Sequence, residues 1–340
     1  MSFLRSKSRR RAWIGLLLWP AIFSVAVLPQ PARAVEPLRI GYSDWPGWVA
    51  WQIAIDKGWI KDAGLDVRFE WSEYSGSMDA FAAGKLDADM VTNGDALVMG
   101  ANGAPNVMIL LTDYSNGNDA ILARPEIRSV ADLKGEKVGV EIGLVEHLLL
   151  EDALRKAKID QAEVKLVDAK TNTMPSLLSS GSVKAVGAWQ PVVGQVMSEN
   201  PGSHPIYTSA QQPGLIYDAI AVAPQSLAAR RADWTKLVAL WGRVVAYIDG
   251  PSTQADAIRI MSARTGVTPA AYTQFLGGTR FLSLAECRKT MVNRPGFGSI
   301  YGSTQNANSF NIKNGVYKNS QDVERYIDTS VVSSLFAKPQ

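Results

Sequence analysis

Acidic and aromatic side chains are concentrated in the short segments that follow the predicted strands. Asp44 and Trp45 share one such segment, and Glu141 and Trp189 lie at two others. Lys and Arg are absent from the segments considered, which are 43–48, 73–77, 92–95, 112–119, 141–143 and 189–191. Carboxylates accept hydrogen bonds from the N–H groups of a planar cation, and aromatic faces stabilise its positive charge. The pattern therefore predicts a site for a small cation, and a neutral amide such as urea can use the same groups.

The candidate ligand-binding residues all lie at the end of a predicted strand, just after one, or where the chain returns between domains. They are Asp44, Trp45, Trp48, Tyr74, Ser75, Asn93, Asp95, Asp113, Tyr114, Glu141, Trp189 and Asp218. Several have a simpler explanation. Asp44 and Asp95 can cap helices, Asp113 can form a turn, and the tryptophans can pack in a core.

The sequence gives little support for catalysis. His147, His204 and Cys287 are the only histidines and the only cysteine. They form no metal-ligand spacing, and a single cysteine makes no intrachain disulfide. Phosphate-binding glycine motifs and nucleophile motifs are absent from the sequence. We therefore expect no catalytic residue, no metal and no cofactor, and a binding protein rather than an enzyme.

The predicted elements bring the candidate residues together. Ligands of parallel α/β sheets bind beyond the carboxyl ends of the strands. Short apolar runs alternate with helical patterns, and this rhythm restarts after Gly135, which predicts two α/β lobes. We assign lobe I to 35–120 plus 222–340 and lobe II to 121–221, with two chain crossings as a hinge. We expect a loop over 295–319 and a last helix over 320–336.

The N-terminus has the three-part pattern of a secretory signal peptide. A basic head precedes an apolar run over 13–28, and Ala32-Arg33-Ala34 is a small-x-small cleavage site. We expect cleavage after Ala34 and export to the periplasm. An uncleaved membrane anchor is the alternative.

The charge of the remaining chain argues against nucleic acid as a partner. The 340 residues include 35 basic and 32 acidic ones, but six of the basic residues lie in the first 34. The rest of the chain is mildly acidic, whereas nucleic-acid binding requires basic surfaces. We expect a monomer that binds a small molecule.

Three stretches carry a resemblance to a known family: LRIGY at 38–42, FAAGKLDA at 81–88 and VADLKGEKV at 130–138. They resemble the periplasmic substrate-binding proteins of ABC importers, in the group that includes sulfonate, taurine, nitrate and thiamine-precursor binders. The resemblance covers about 36–280. It implies a type II periplasmic binding-protein fold, in which two α/β lobes on a two-strand hinge close over a ligand. It also implies an inner-membrane ABC permease as partner.

A narrower resemblance rests on TNGDAL at 92–97, SNGND at 115–119 and the segment from Glu141 to HLL at 147–149. These look like binders encoded near urea carboxylase systems, which are associated with urea or guanidine uptake. The resemblance would place Asp95, Asp113 and Glu141 at the ligand. Sulfonate and nitrate binders often have Gly-Ser where Glu141-Ile142-Gly143 stands here, and this difference counts against an anion.

Our main hypothesis is a periplasmic binding protein for guanidinium or urea. The first alternative is a binder of an alkanesulfonate, taurine or nitrate, held by helix N-termini and by the hydroxyls of Ser75, Ser77 and Thr92. The second is an enzyme similar to the pyrimidine-precursor synthases, whose fungal members carry a cysteine-rich motif that Cys287 alone cannot supply. The third is a ligand-sensing subunit of a membrane receptor.

Overall fold

Two β-sheets organise residues 36–337, the part of the chain that the computed structural model describes. The first sheet has the order β11-β4-β10-β3-β1-β2 and the second β7-β6-β8-β5-β9. The strands, in chain order, are β1 Leu38–Tyr42, β2 Val67–Trp71, β3 Ala88–Thr92, β4 Val107–Ser115, β5 Asp119–Ala123, β6 Lys137–Val140, β7 Lys165–Asp168, β8 Ala185–Trp189, β9 His204–Thr208, β10 Tyr217–Val222 and β11 Thr279–Phe281. The predicted signal peptide lies outside the described residues.

Helices connect these strands and continue to the end of the described chain. They are α1 Pro46–Val49, α2 Trp51–Asp56, α3 Trp59–Asp62, α4 Tyr74–Ala82, α5 Asn93–Ala101, α6 Val145–Lys156, α7 Met174–Ser179, α8 Val192–Glu199, α9 Pro224–Asp249, α10 Gln254–Thr265, α11 Pro269–Gly277, α12 Leu284–Thr290, α13 Ile300–Lys313 and α14 Ser330–Ser334. Within residues 36–337, none of these helices is both long enough and apolar enough to cross a bilayer.

Each sheet contains an inner strand that runs antiparallel to both of its neighbours. These two strands lie next to the crossings of the chain between the lobes. β10 runs antiparallel between β3 and β4, and β5 runs antiparallel between β8 and β9. The chain leaves the first sheet after Ser115 and returns at Tyr217. The two predicted lobes are therefore present. Pairing places 217–221 in the first sheet rather than in lobe II, because this apolar strand completes the ladder between β3 and β4.

The inner strands are buried on both faces. Every residue of β3, β5, β8 and β10 is buried. Such strands consist of nearly continuous apolar runs, and runs of this kind predict β3, β8 and the second half of β10. Acidic residues in these strands are exceptions, since charged side chains are rarely fully buried without a partner. Asp119 and Asp218 are two such exceptions, and each lies next to a crossing of the chain between the lobes.

Helix α13 corrects the predicted loop over 295–319. Ser299 caps it by accepting a hydrogen bond from the backbone N–H of Tyr301. Its buried face is largely polar, with Asn308 donating to Ser320 Oγ at 2.9 Å and accepting from Tyr317 Oη at 3.0 Å. Hydrogen bonds rather than apolar contacts satisfy this face, so the apolar 3.6-residue period that predicts a helix is missing.

Other elements also differ from the sequence prediction. The last predicted helix, over 320–336, is a 3₁₀ turn at Val323–Tyr326 followed by the short α14. The predicted helix over 48–57 is divided between α1 and α2. Strands β9 and β11 were not predicted. β11 has only three residues and pairs with the end of β4, so it is too short to show an alternating pattern.

Tryptophans form the centre of the first-lobe core. The ring of Trp51 on α2 lies 5.3 Å from that of Trp241 on α9 and 5.8 Å from that of Phe69 on β2. Both tryptophans are fully buried. These contacts join the second helix after β1 to the long helix that follows the return crossing.

We predict that Trp51→Ala destabilises the protein strongly. Replacing a buried Trp by Ala leaves a cavity and costs about 3–5 kcal/mol, which corresponds to roughly 6–15 °C in Tm. Val292→Ala, at a side chain that is 51% exposed, is the control and should change stability by no more than about 0.5 kcal/mol. Thermal unfolding followed by circular dichroism measures both. Equal Tm values for the two variants would contradict this description of the core.

Candidate functional site

A small cavity lies where the ends of the strands from the two sheets meet. Four aromatic side chains, two carboxyl groups and three smaller residues line it: Trp45, Trp48, Tyr74, Trp189, Asp119, Asp218, Thr92, Val145 and Ile216. Residues of both sheets contribute to the wall. Among the described residues that line the cavity, none is Lys or Arg.

Local sequence signals place the first-lobe rings. Pro46 starts α1 directly after Trp45, because proline is well suited to the first position of a helix. This brings Trp45 and Trp48 to the end of β1. Glu73 caps α4 by accepting from the backbone N–H groups of Ser75 and Gly76, which puts Tyr74 at the first helical position.

The four aromatic residues contact one another as a cage, a name we keep for Trp45, Trp48, Tyr74 and Trp189. Trp48 stacks on Tyr74 with ring centroids 5.4 Å apart. Tyr74 meets Trp189 edge to face at 5.3 Å, and Trp45 meets Trp48 at 6.5 Å. Trp189 comes from the second sheet, so the cage exists only where the two lobes meet.

Three of the predicted acids hold the cage rather than line the cavity. Asp95 Oδ2 accepts a hydrogen bond from Tyr74 Oη at 2.6 Å, and Asp113 Oδ1 accepts one from Trp45 Nε1 at 2.9 Å. Asp44 Oδ1 accepts one from Trp189 Nε1 at 3.0 Å. Each acid thus fixes the orientation of one ring. The hydrogen bond to Trp189 also joins the two lobes.

The carboxyl groups around the cavity occur in two interacting pairs. Asp218 on β10 lies opposite Asp113 on β4, and Glu146 on α6 interacts with Asp119 at the start of β5. Burial raises the pKa of both Asp113 and Asp119 to about 6. Burial raises the pKa values of Asp218 and Glu146 well above the usual range. One proton per pair removes the repulsion between neighbouring carboxylates.

Four predicted residues lie away from the cavity wall. Asn93 is buried and donates to Ser303 Oγ at 3.1 Å, which joins α5 to α13. Tyr114 packs edge-on against Tyr217 at 5.6 Å. The hydroxyl of Ser75 donates to Glu73 Oε1 at 3.2 Å. Burial raises the pKa of Glu141, and its Oε2 has no hydrogen-bond partner among the described residues.

The structure adds residues that are not among the twelve predicted ones. Thr92 was named only for the anion alternative, and Asp119 only as the end of the SNGND stretch. Glu146 had no assigned role, because an acid in the first turn of a helix is common. The glycine at position 187 is a weak indication of the buried acid. A Cβ atom there would lie 2.9 Å from Cβ of Glu146, so glycine makes room for the buried acid.

A basic residue also contributes at the mouth of the site. Lys170, in the segment after β7, places Nζ 2.7 Å from Glu73 Oε2 at the start of α4. This ion pair is a second link between the lobes. The sequence analysis had found no Lys or Arg in the segments it considered, and the segment after β7 was not among them. Lys170 does not line the cavity.

Solved structures identify the class of fold. The periplasmic aliphatic sulphonate-binding protein of Escherichia coli is similar, with a TM-score of 0.70 and 18% identity over 87% of this chain and 92% of that one. The periplasmic nitrate-binding protein of Synechocystis has a TM-score of 0.68 and 13% identity, with 88% of each chain covered. This confirms the predicted periplasmic binding-protein fold with two α/β lobes.

Sequence comparison identifies the family. The model of the NMT1/THI5-like family matches residues 45–236, more than half of the chain, and the chain belongs to this family. A binding protein of Brucella abortus is 30% identical over 197 residues, which are 57% of this chain and 59% of the relative. The match therefore spans less than two thirds of that relative's length.

We predict that stability of the ligand-free protein falls as pH rises from 5 to 8. Burial raises the pKa of Asp95 to about 7 and those of Asp113 and Asp119 to about 6, whereas an unfolded Asp titrates near 3.9. The folded protein therefore holds protons that the unfolded chain has released. This stabilisation is complete below about pH 4 and is lost as pH rises through 6 to 7.

Scanning fluorimetry at four pH values measures the effect, which we expect to be several degrees in Tm. Asp95→Asn keeps an acceptor for Tyr74 but cannot ionise, so its profile should be flatter than that of the wild type. Asp62→Asn, at an exposed position, should retain the wild-type profile. A Tm that rises from pH 5 to 8 would contradict the assignment of raised pKa values.

Proposed function

We propose that this protein is the periplasmic solute-binding component of an ABC importer. In this proposal the lobes meet at the crossings 116–118 and 209–216, close over a small nitrogen compound and deliver it to a membrane permease. The fold and the family support the class of protein. Residues 1–34 supply the export signal in this account, and the protein acts as a monomer without a cofactor.

The composition of the cavity wall carries the proposal for the ligand, guanidinium or urea. The cage offers aromatic faces from both lobes, and Asp119 and Asp218 offer carboxyl oxygens. No N–H or O–H donor among the described residues reaches Oδ2 of either acid. An unpaired buried carboxyl oxygen is costly, and the N–H groups of a planar cation would satisfy it.

The size of the cavity favours a ligand of few atoms. The space open to the centre of a water-sized sphere is about 10 Å³, which is room for about one water molecule, so anything larger than a few atoms would require the lobes to open widely. The best small ligands gain about 1.5 kcal/mol per non-hydrogen atom. Guanidinium, with four such atoms, can therefore reach about −6 kcal/mol, which is a Kd of about 40 µM.

A sulfonate or nitrate ligand is the alternative, and the similarity to proteins named for sulphonate and nitrate binding supports it. The hydroxyl of Thr92 lines the cavity and can donate to an anion. An anion would, however, face the charge of Asp119, and the repulsion would have to be removed by protonation of this acid. Its affinity would then rise as pH falls, the reverse of a cation.

We favour binding over catalysis because the described lining residues are aromatic, acidic or small, and pair with one another rather than forming a nucleophile–base arrangement. A synthase-like enzyme remains the rival from another class. Incubation with candidate pyrimidine precursors, followed by mass spectrometry, tests it. Any turnover product would contradict the binding-protein proposal.

The ligand is tested by calorimetric titration of the purified protein at pH 7.5 with guanidinium, urea, taurine, methanesulfonate and nitrate, up to millimolar concentrations. We expect guanidinium or urea to bind and the three sulfonate and nitrate ligands to fail. Binding of an anion alone would overturn the cation proposal and leave the importer class intact.

Asp119→Asn tests the role of charge directly. Charge-assisted hydrogen bonds contribute about 1.5–3 kcal/mol, so loss of this charge should weaken guanidinium binding about tenfold or more. Urea has no charge and should lose much less. Asp62→Asn removes an exposed acid of lobe I and serves as the matched control, with an unchanged Kd. Equal guanidinium affinity for wild type and Asp119→Asn would exclude Asp119 as the counter-ion.

A further inference from the structure

Glu146 is a fully buried acid that no cation neutralises in the described structure. Its side chain has 0% exposure, and no N–H or O–H donor among residues 36–337 reaches either carboxyl oxygen. Its carboxyl group interacts with that of Asp119. Asp119 pairs with Trp189, two residues along β8 from Gly187, so its side chain lies on the face of the second sheet that Glu146 covers. Two buried carboxyl groups placed in this way repel each other unless one carries a proton.

The packing around Glu146 shows that this contact is built into the fold. α6 places Glu146 against β8, where Gly187 leaves space for it. An added Cβ at Gly187 would lie 3.2 Å from Glu146 Oε2. Asp119 lines the cavity, whereas Glu146 does not.

The groups that act on the pair from neighbouring elements are also acids. Asp95 on α5 acts on Glu146, and Asp113 on β4 and Asp218 on β10 act on Asp119. Their combined charge and the loss of solvent favour the protonated form of Glu146. Asp119 receives the hydrogen bond, which favours its ionised form.

We propose that Glu146 is a neutral acid whose hydroxyl donates to Asp119, so that this pair offers the ligand a single negative charge for which ligand and proton compete. Glu146 is thus a positioning residue and Asp119 is the counter-ion. This inference rests on the proposed function, because it assumes a cationic ligand. It adds that the pair of Glu146 and Asp119 carries one negative charge, which equals the single positive charge of the proposed ligand.

Glu146→Gln is the decisive variant. Gln has the shape of neutral Glu and an N–H donor for Asp119, so guanidinium affinity at pH 7.5 should stay within about threefold of the wild type. Glu146→Leu removes the donor, so protonation of Asp119 should begin to weaken binding at a higher pH. Glu199→Gln, at an exposed end of α8, is the matched control.

The pH profile of guanidinium binding gives the second readout. Kd measured by calorimetry should be constant between pH 7 and 8 and should increase about tenfold per pH unit below the Asp119 pKa of about 6. Glu146→Gln should retain this profile. A loss of tenfold or more in Glu146→Gln at pH 7.5, or an affinity that is constant down to pH 5, would overturn the inference.

The two proposals can fail separately. If guanidinium binds and Glu146→Gln behaves like Asp119→Asn, the proposed function stands and Glu146 is charged. If guanidinium does not bind, the proposed function fails, and Tm of the ligand-free protein tests the neutral acid by itself. The wild type should then lose stability relative to Glu146→Gln as pH rises from 5 to 8, because the unfolded Glu is ionised in this range whereas the folded one keeps its proton. A difference in Tm that stays constant over this range would show an ionised Glu146.

Discussion

The desolvation of carboxyl groups between the two lobes is the constraint on which the rest of the site depends. Asp95, Asp113, Asp119, Asp218 and Glu146 are all buried, and the described cavity lining contains no basic residue to neutralise them. Such groups must accept hydrogen bonds, share protons or meet a cation. The protein uses the first two solutions within its own chain, and we propose that the ligand supplies the third.

Each acid that accepts a hydrogen bond from a ring also gives that ring its position. Asp95 orients Tyr74, Asp113 orients Trp45, and Asp44 orients Trp189 across the lobes. The cage and these acids therefore form one hydrogen-bonded network, and the bond between Asp44 and Trp189 forms only when the lobes meet. The ion pair between Lys170 and Glu73 adds a second contact between the lobes at its edge. In this account, ligand binding and lobe closure stabilise each other.

Much of the fold was predictable, because buried parallel strands are continuous apolar runs and glycines end several helices. α13 was not predictable, since Asn308 and its polar neighbours replace the apolar stripe with hydrogen bonds. The aromatic members of the site were found from their position after strands. Sequence alone could not show that Asp95 and Asp113 face inward to rings, nor that Asp119 meets Glu146, because these contacts join elements far apart in the chain.

A crystal structure of the protein soaked in guanidinium chloride tests the central claim most directly. We predict one planar cation within the cage, in contact with an indole face and with its N–H groups in hydrogen-bond distance of Asp119 and Asp218. The same crystals soaked in methanesulfonate should leave the cavity without that anion. A sulfonate inside the cage, with guanidinium bound only at the surface, would contradict the account.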